Sequence, residues 1–228
     1  MKKFIVMIAL AAVVFLPMMA QADYVKLREL SVNPYANVTI YAGALGNVST
    51  QAGYYNVQVD YDNSLPYDGP TFASFCVDPA YSSTSWTTYD LRVIPEGSRY
   101  EAAAWVVAQN WTGNNIPAAQ IAVWELVWDW GEAAPDFANG NFRYTAAANT
   151  NYATYAPLAT AIFNSAKTNM GAGFDQSAYS LAVSPPTGTF FGVSYQDYIV
   201  PNPVPIPGAV WLLGSGLLGL VAVRRRRK

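Results

Sequence analysis

Hydrophobic and polar positions alternate along the first part of the chain, as they do in strands that bury one face. The clearest example is the stretch 55–61, in which Tyr or Val occupies every second position and Asn, Gln or Asp lies between. Shorter runs rich in strand-forming residues occur at 38–41 and 72–77, with turn residues between them. Residues typical of strands occur again at 179–183 and 189–195. We therefore predict β-strands on both sides of a central region.

The central region has the period of helices. Ser98 and Glu101 have the spacing of a capping box, which predicts a first helix from about residue 99 to before residue 113. Asn114 followed by Pro117 predicts a second helix that ends near residue 130. Its positions are apolar on nearly every side, which is typical of a buried helix. A third helix is predicted over 155–170, where a glycine follows.

The composition of the chain excludes several kinds of chemistry. The 228 residues include no histidine and one cysteine, Cys76. Without histidine there is no Ser-His-Asp or Cys-His site, and one cysteine allows neither an internal disulfide nor a multi-cysteine metal site. Carboxylate chemistry, an oxygen-ligated metal and covalent chemistry at Cys76 remain open. We expect no cofactor.

Charge is distributed unevenly along the chain. Seven of the 13 basic residues lie at positions 2, 3 and 224–228, whereas all 15 acidic residues lie between these two ends. The body is therefore acidic, and it would repel a phosphate backbone. We expect no nucleic-acid partner.

Residues 1–22 have the features of a secretory signal peptide. Two lysines precede an apolar stretch, and the Ala-Gln-Ala sequence that ends at Ala22 fits the cleavage rule for small residues. The alternative is a membrane anchor or a buried helix. Export by the Sec machinery would leave a mature chain that begins at Asp23.

The other end of the chain has three parts in order. Proline occupies every second position from 201 to 207, which indicates an extended spacer. Residues 208–223 are uncharged, and a helix of that length would rise about 24 Å, slightly less than a bilayer core. The basic cluster 224–228 favours the cytoplasmic face, with the body outside. A plain one-pass anchor would have the same orientation.

This C-terminal segment resembles the PEP-CTERM sorting signal of Gram-negative bacteria, in its Val-Pro-Leu-Pro-Ala-like variant. The resemblance rests on the motif Val204, Pro205, Ile206, Pro207 and Gly208, and on the apolar span and basic cluster that follow it. It implies transient anchoring in the inner membrane through 208–223, handling by an exosortase that removes the segment, and delivery to the cell surface or extracellular matrix.

Gln120 is a polar residue on the second predicted helix, and its side-chain amide needs a partner there. It lies one turn before Val123 and Trp124, on a helix with little solvent face, and burying an unpaired amide costs about 1–3 kcal/mol. A cysteine would be a covalent partner. Attack of its thiolate on the glutamine carbonyl expels ammonia and leaves an internal thioester, a reaction that needs no histidine. A buried hydrophobic Cys76 and a surface glutamine remain the alternative.

The residues around Cys76 and Gln120 resemble the thioester domains of bacterial surface adhesins. Phe75-Cys76-Val77 matches the first block of their signature, and the stretch from Gln120 to Trp124 matches the second, with Ala119 in place of Thr. The resemblance implies an α+β fold, a β-sandwich or barrel with an inserted helical lobe of about three helices. It also implies that Phe75, Val77 and Trp124 shield a Cys76–Gln120 thioester.

Three further sets of residues suggest other chemistry. Asp60, Asp62 and Asp68 offer oxygen ligands at spacings that suit Ca²⁺. Carboxylates near one face of the second helix suggest glycoside hydrolysis, and exposed tryptophans suggest sugar binding. The carboxylates are Glu125, Asp129 and Glu132, and the tryptophans are Trp86, Trp111, Trp128 and Trp130.

Together these patterns predict a signal peptide (1–22), an extracellular body (23–200) and a spacer with sorting signal (201–228). The expected function is covalent attachment to amines or hydroxyls of a surface or matrix target. Such a protein is not a turnover enzyme, because each bond reacts once. The alternative is a noncovalent matrix-binding or carbohydrate-binding module in which Cys76 is inert.

Overall fold

A computed structural model describes residues 23–80, 82–185 and 195–203. Strands come first, helices follow and strands return, so the fold is mixed α+β, as the sequence predicts. The signal-peptide residues and the sorting motif lie outside the described residues, as does nearly all of the predicted strand 189–195. Within the described ranges, no helix has both the length and the apolar character needed to cross a bilayer.

Seven strands form one sheet in which every pairing is antiparallel. The spatial order is β3-β2-β1-β4-β6-β7, and the short β5 pairs with the far end of β1. Their bounds are β1 Tyr24–Ala42, β2 Asn47–Asp60, β3 Thr71–Ser74, β4 Thr87–Val93, β5 Phe142–Arg143, β6 Tyr179–Val183 and β7 Tyr198–Pro201.

The long β1–β2 hairpin is the centre of the sheet. Inward positions such as Leu27, Ile40 and Val57 are fully buried, whereas the positions between them are partly exposed. The pairing register shifts between Glu29 and Ser31 and again between Val32 and Tyr35, so the strand contains irregularities of the β-bulge type. The predicted strand 38–41 is therefore the end of a 19-residue strand.

The two ends of the strand order lie against each other. The strand predicted over 72–77 ends at Ser74 as β3, and Cys76 then forms an antiparallel bridge with Tyr198 of β7. The Val77 N–H donates to Asp197 O at 2.9 Å, and the Ser74 hydroxyl donates to Ile199 O. We call residues 74–77 and 197–199 the edge seam. Val200 and Pro201, at the start of the alternating-proline segment, are paired with β6.

Three helices connect the two groups of strands. They are α1 Arg99–Val107, α2 Asn115–Trp128 and α3 Tyr152–Asn169, each within three residues of its predicted bounds where a bound was given. The Ser98 hydroxyl caps α1 by accepting from the Glu101 N–H at 3.2 Å, as the capping box predicts. The Glu101 carboxylate reaches the Gly97 N–H. The glycine expected to stop α3, Gly171, has φ +75°, which a side chain would strain.

Helix α2 is the innermost helix. Residues 116–127 are buried without interruption, which confirms the prediction from its apolar composition. It packs on β2 on one side and against α1 and α3 on the other. A polar side chain on α2 must therefore find its partners inside the protein, and this constraint positions the site described next.

Candidate functional site

Cys76 and Gln120 are in contact in the core. The Cys76 thiol lies 3.6 Å from Gln120 Oε1, measured from Sγ. The Cys76 backbone N–H donates to the same oxygen at 3.1 Å, and Gln120 Nε2 donates to Cys76 O at 2.8 Å. Both polar ends of the amide are thus held by one residue of the edge seam.

These hydrogen bonds hold the Gln120 amide beside the Cys76 sulfur. The carbonyl oxygen, where negative charge would develop, already accepts from the Cys76 N–H. Preformed donors of this kind stabilise tetrahedral intermediates of acyl transfer. The geometry is compatible with acyl transfer from the Gln120 amide to Cys76.

The pair is enclosed by apolar side chains. Cys76 and Gln120 are fully buried, as are Phe75 and Trp124, and Val77 is nearly so. Phe75 stacks on Tyr54 at 4.9 Å between ring centroids. The three residues that the sequence assigns to shielding therefore lie in the core around Cys76, where water is excluded.

The Cys76 thiol is held in its protonated form. Burial raises the pKa of Cys76 well above its ordinary value, and the charge of Asp78 adds to this effect. The Tyr55 hydroxyl and the Trp124 indole oppose it, acting in the direction of a lower pKa. Trp124 Nε1 has no partner at hydrogen-bonding distance among the described residues, so its effect is that of a nearby N–H rather than of a formed bond. A folded-state thiol of this kind should react slowly with external reagents.

A polar cluster of Glu29, Tyr55, Gln196 and Tyr198 borders the pair on one side. The Tyr198 hydroxyl lies 3.1 Å from Glu29 Oε2 and 3.0 Å from Gln196 Oε1, and all four side chains are buried. Burial raises the pKa of Glu29, and the hydrogen bond from Tyr198 opposes that rise.

Sequence reasoning missed Glu29, although the strand pattern contained its signal. Val25, Leu27 and Glu29 occupy successive inward positions of β1, and Glu29 is the charged member of that face. A carboxylate on the core side of a strand is uncommon and needs a partner. The alternation therefore marks it as a residue to examine.

Two further carboxyl groups, Asp197 within the edge seam and Asp78 next to it, lie close together. The Asp197 N–H donates to Asp78 Oδ1 at 3.1 Å. Burial, reinforced by the charge of Asp197, raises the pKa of Asp78 to about 7. Asp78 therefore gains its charge near neutral pH, two residues from Cys76.

Of the three aspartates proposed for Ca²⁺, Asp60 and Asp62 accept local hydrogen bonds, and Asp68 contributes its backbone N–H. Asp60 accepts from the N–H groups of Asn63 and Asp68, and Asp62 accepts from the N–H and hydroxyl of Ser64. No group of three or more acidic or cysteine side chains lies at metal-binding distance in the described residues. These side chains stabilise the turn after β2.

The carboxylates considered for glycoside hydrolysis hold the loop that follows α2. Glu125 accepts from the Asp136 N–H at 2.8 Å, and Asp129 accepts from the N–H groups of Asn141 and Phe142. Burial raises the pKa of Glu125 to about 8. Glu132, the third of them, is partly exposed, and its N–H closes the turn from Asp129. Two of the three carboxylates are thus used structurally.

The four tryptophans considered for sugar binding are all partly exposed. The Trp111 indole donates to Val106 O and the Trp128 indole to Val77 O. The Arg28 guanidinium carbon lies 4.7 Å from the centroid of the Trp86 ring, and the Lys167 ammonium nitrogen lies 4.2 Å from the centroid of the Trp130 ring. Each ring has its own protein neighbours, and no shared stacking surface follows from these contacts.

Of the predicted processing residues, Asp23 lies within the described part of the chain and is exposed. Ala22 and the motif Val204, Pro205, Ile206, Pro207 and Gly208 lie outside it. Comparisons of the chain with protein families, with curated proteins and with solved structures found no match.

Proposed function

We propose that Cys76 and Gln120 form an internal thioester. Sγ adds to the side-chain carbonyl carbon of Gln120 and the C–N bond breaks. Ammonia leaves with the two amide hydrogens and the thiol proton. No oxidant or cofactor is needed, and the bond remains stable while it is buried.

The observation that supports this proposal best is that Cys76 contacts both the oxygen and the nitrogen of the Gln120 amide. Its oxygen accepts from the Cys76 N–H at 3.1 Å, its nitrogen donates to Cys76 O at 2.8 Å, and the sulfur is in contact at 3.6 Å. The two hydrogen bonds satisfy backbone groups of residue 76, which need partners whatever the side chain is, so the feature particular to cysteine is the contact of its sulfur with the amide. A glutamine on the most buried helix is explained if its carbonyl is the acyl donor.

The finer features of the fold follow as part of the proposal. We infer that the sheet closes on itself as a barrel, since the edge seam joins the ends of the strand order. The helices would form a lobe inserted between β4 and β6. Signal peptide and sorting segment would flank this body, as the sequence predicts.

In this proposal the protein is exported and sorted by an exosortase to the cell surface or matrix. An amine or hydroxyl of a target opens the thioester, which joins the target to Gln120 and frees Cys76. The protein is then spent, so it is an adhesin rather than an enzyme. The support for export and sorting is the order of the motifs at the two ends of the chain.

Intact mass tests the bond. The secreted wild-type protein should weigh one ammonia less than its sequence, and Cys76 should resist alkylation after unfolding in acid. Gln120→Glu and Cys76→Ala should each abolish the deficit. Gln109→Glu is the matched control, since Gln109 follows the end of α1, is partly exposed and donates to Trp105 O, and it should keep the deficit.

A wild-type protein of full sequence mass, with Cys76 alkylatable on unfolding, would reject the thioester. A noncovalent matrix-binding or carbohydrate-binding module would then be the better assignment.

A further inference from the structure

A cavity of about 570 Å³ leads from the surface toward the Cys76–Gln120 pair. Its outer part is lined by exposed or half-buried residues of β2, among them Asn47, Ser49 and Gln51. Its inner part is lined by Glu29, Tyr55 and Gln196, which are 7%, 2% and 3% exposed. The cavity therefore runs inward and ends at the polar cluster beside the pair.

Two tyrosines separate the end of the cavity from the sulfur. Tyr55 lines the cavity, and its pairing partner in β3, Ser74, is two residues before Cys76. Tyr198 is the bridge partner of Cys76, and its ring lies 5.9 Å from that of Tyr55. We infer that a path from the cavity to the bond passes these two residues.

Glu29 gives the cavity its charge. Among the described residues that line it, Glu29 is the one acidic or basic residue. It lies where the β1–β2 register shifts, and bulges commonly re-aim a side chain next to a functional site. Its carboxylate is fixed by the Tyr198 hydroxyl at 3.1 Å.

We propose that this cavity admits the nucleophile that opens the thioester, and that Glu29 binds it as a primary alkylammonium and accepts its proton. The proposal rests on the thioester function above and narrows it from amines or hydroxyls to amines, because a neutral hydroxyl lacks the opposite charge that attracts an ammonium to the carboxylate.

The step balances without a further reactant. Glu29 takes one proton from the ammonium, and the neutral amine adds to the carbonyl carbon of the Gln120 thioester. The C–S bond breaks and the sulfur leaves. The second amine proton passes to the sulfur, which becomes a thiol. The products are a secondary amide at Gln120, free Cys76 and a protonated Glu29.

The polar cluster supports both roles of the carboxylate. Burial raises the pKa of Glu29, which makes it a stronger base than a surface carboxylate. The Tyr55 hydroxyl donates to Gln51 O at 2.8 Å and lies close enough to the thiol to affect its pKa. Cavity, base and leaving group thus lie in sequence along one path.

The first test compares two nucleophiles on the secreted protein at about pH 7.5. n-Butylamine is a cation at this pH, whereas hydroxylamine is neutral. Glu29→Gln should slow thioester opening by n-butylamine about 100-fold, the low end for general base catalysis, and opening by hydroxylamine less than about 3-fold. Glu96→Gln is the matched control, because Glu96 is exposed and does not line the cavity, and it should change neither rate.

Equal slowing of both nucleophiles would overturn the role of Glu29 in recognising the cation. An unchanged n-butylamine rate would overturn its role as proton acceptor. The mass deficit of Glu29→Gln should equal that of the wild type, which shows that the bond still forms in the variant.

The second test does not need the bond. In Cys76→Ala protein, chemical shifts of cavity residues should titrate with n-butylammonium, and adding Glu29→Gln should weaken binding at least about 10-fold. Adding Glu96→Gln should leave binding unchanged. Absent or equal binding overturns the cavity assignment whatever the wild-type mass. Binding together with a full wild-type mass would reject the thioester and the proton transfer, and keep the ammonium site.

Discussion

The effect of the thioester on stability is tested most directly by opening the bond while the amino-acid sequence stays the same. Ammonia attacks the bond and regenerates Gln120 and the Cys76 thiol. The opened protein regains the hydrogen bonds from the Cys76 N–H to Gln120 Oε1 and from Gln120 Nε2 to Cys76 O. The folded states are therefore similar, and the difference lies in the unfolded chain.

The expected magnitude follows from the length of chain that the bond closes. Cys76 and Gln120 are 44 residues apart. The chain-entropy relation for a cross-link over that separation gives about 4 kcal/mol at room temperature. In a protein of this size each ~1 kcal/mol shifts Tm by about 2–4 °C, so opening should lower Tm by about 8–16 °C.

The assay is thermal unfolding by circular dichroism before and after ammonia treatment, with intact mass measured on the same samples. The mass identifies the open form, which is heavier by one ammonia. Cys76→Ala, treated in parallel, has no bond to open and should keep its Tm. This variant separates the loss of the cross-link from effects of ammonia on the protein.

An open form that melts within about 2 °C of the closed form would refute the reasoning, since the bond would then not restrict the unfolded chain. A drop of the same size in Cys76→Ala would assign the effect to the solvent.

Three further predictions concern other parts of the chain. Burial raises the pKa of Asp78 from 3.8 to about 7, so between these values the folded protein holds a proton that the unfolded chain has released. Asp78 therefore makes the free energy of unfolding decrease as pH rises through that window. In Asp78→Asn protein this decrease, measured by urea unfolding at several pH values, should be smaller. The same dependence on pH in the variant and the wild type would contradict this. Trp124→Phe keeps one aromatic ring and removes the fused ring that carries an N–H with no partner among the described residues, so it should cost less than the about 3–5 kcal/mol expected for Trp124→Ala; equal losses in urea unfolding would reject this account. Protein recovered outside the cell should begin at Asp23 and lack residues 224–228 by intact mass, and arginines retained at its end would contradict sorting.

The helices could be predicted because their signals are local. The Ser98 cap, Pro117 in the first turn of α2 and the glycine after α3 lie within a few residues of the ends they set. The burial of α2 follows from composition alone. Such signals need no knowledge of the rest of the fold, and the predicted bounds agree with the structure to within three residues.

The sheet was predicted less completely because its pairings are long-range. The bridge between Cys76 and Tyr198 joins segments more than 100 residues apart, and nothing near either residue indicates it. In β1 the alternation fails over residues 30–37, where most positions are exposed, so the strand appeared shorter than it is.

The Cys76–Gln120 pair was found through a resemblance and the cost of a buried amide, not through a pattern of contacts. The cavity was not predicted, because its walls come from four separate parts of the chain: residues 29 and 32, residues between 45 and 55, residues 79, 80 and 82, and residue 196. Glu29 was recognisable as an anomaly on an apolar strand face, but its neighbours were not.

The edge seam also bears on how this protein avoids self-association. An unpaired strand edge is a template for pairing with another chain, and β3 and β7 would be two such edges in an open sheet. Here residues 74–77 and 197–199 cover each other, and Cys76 lies within the covered stretch. Separation of the seam would expose two adhesive strand edges together with the buried sulfur. We therefore expect that opening of the seam both starts oligomer formation and makes Cys76 accessible to reagents.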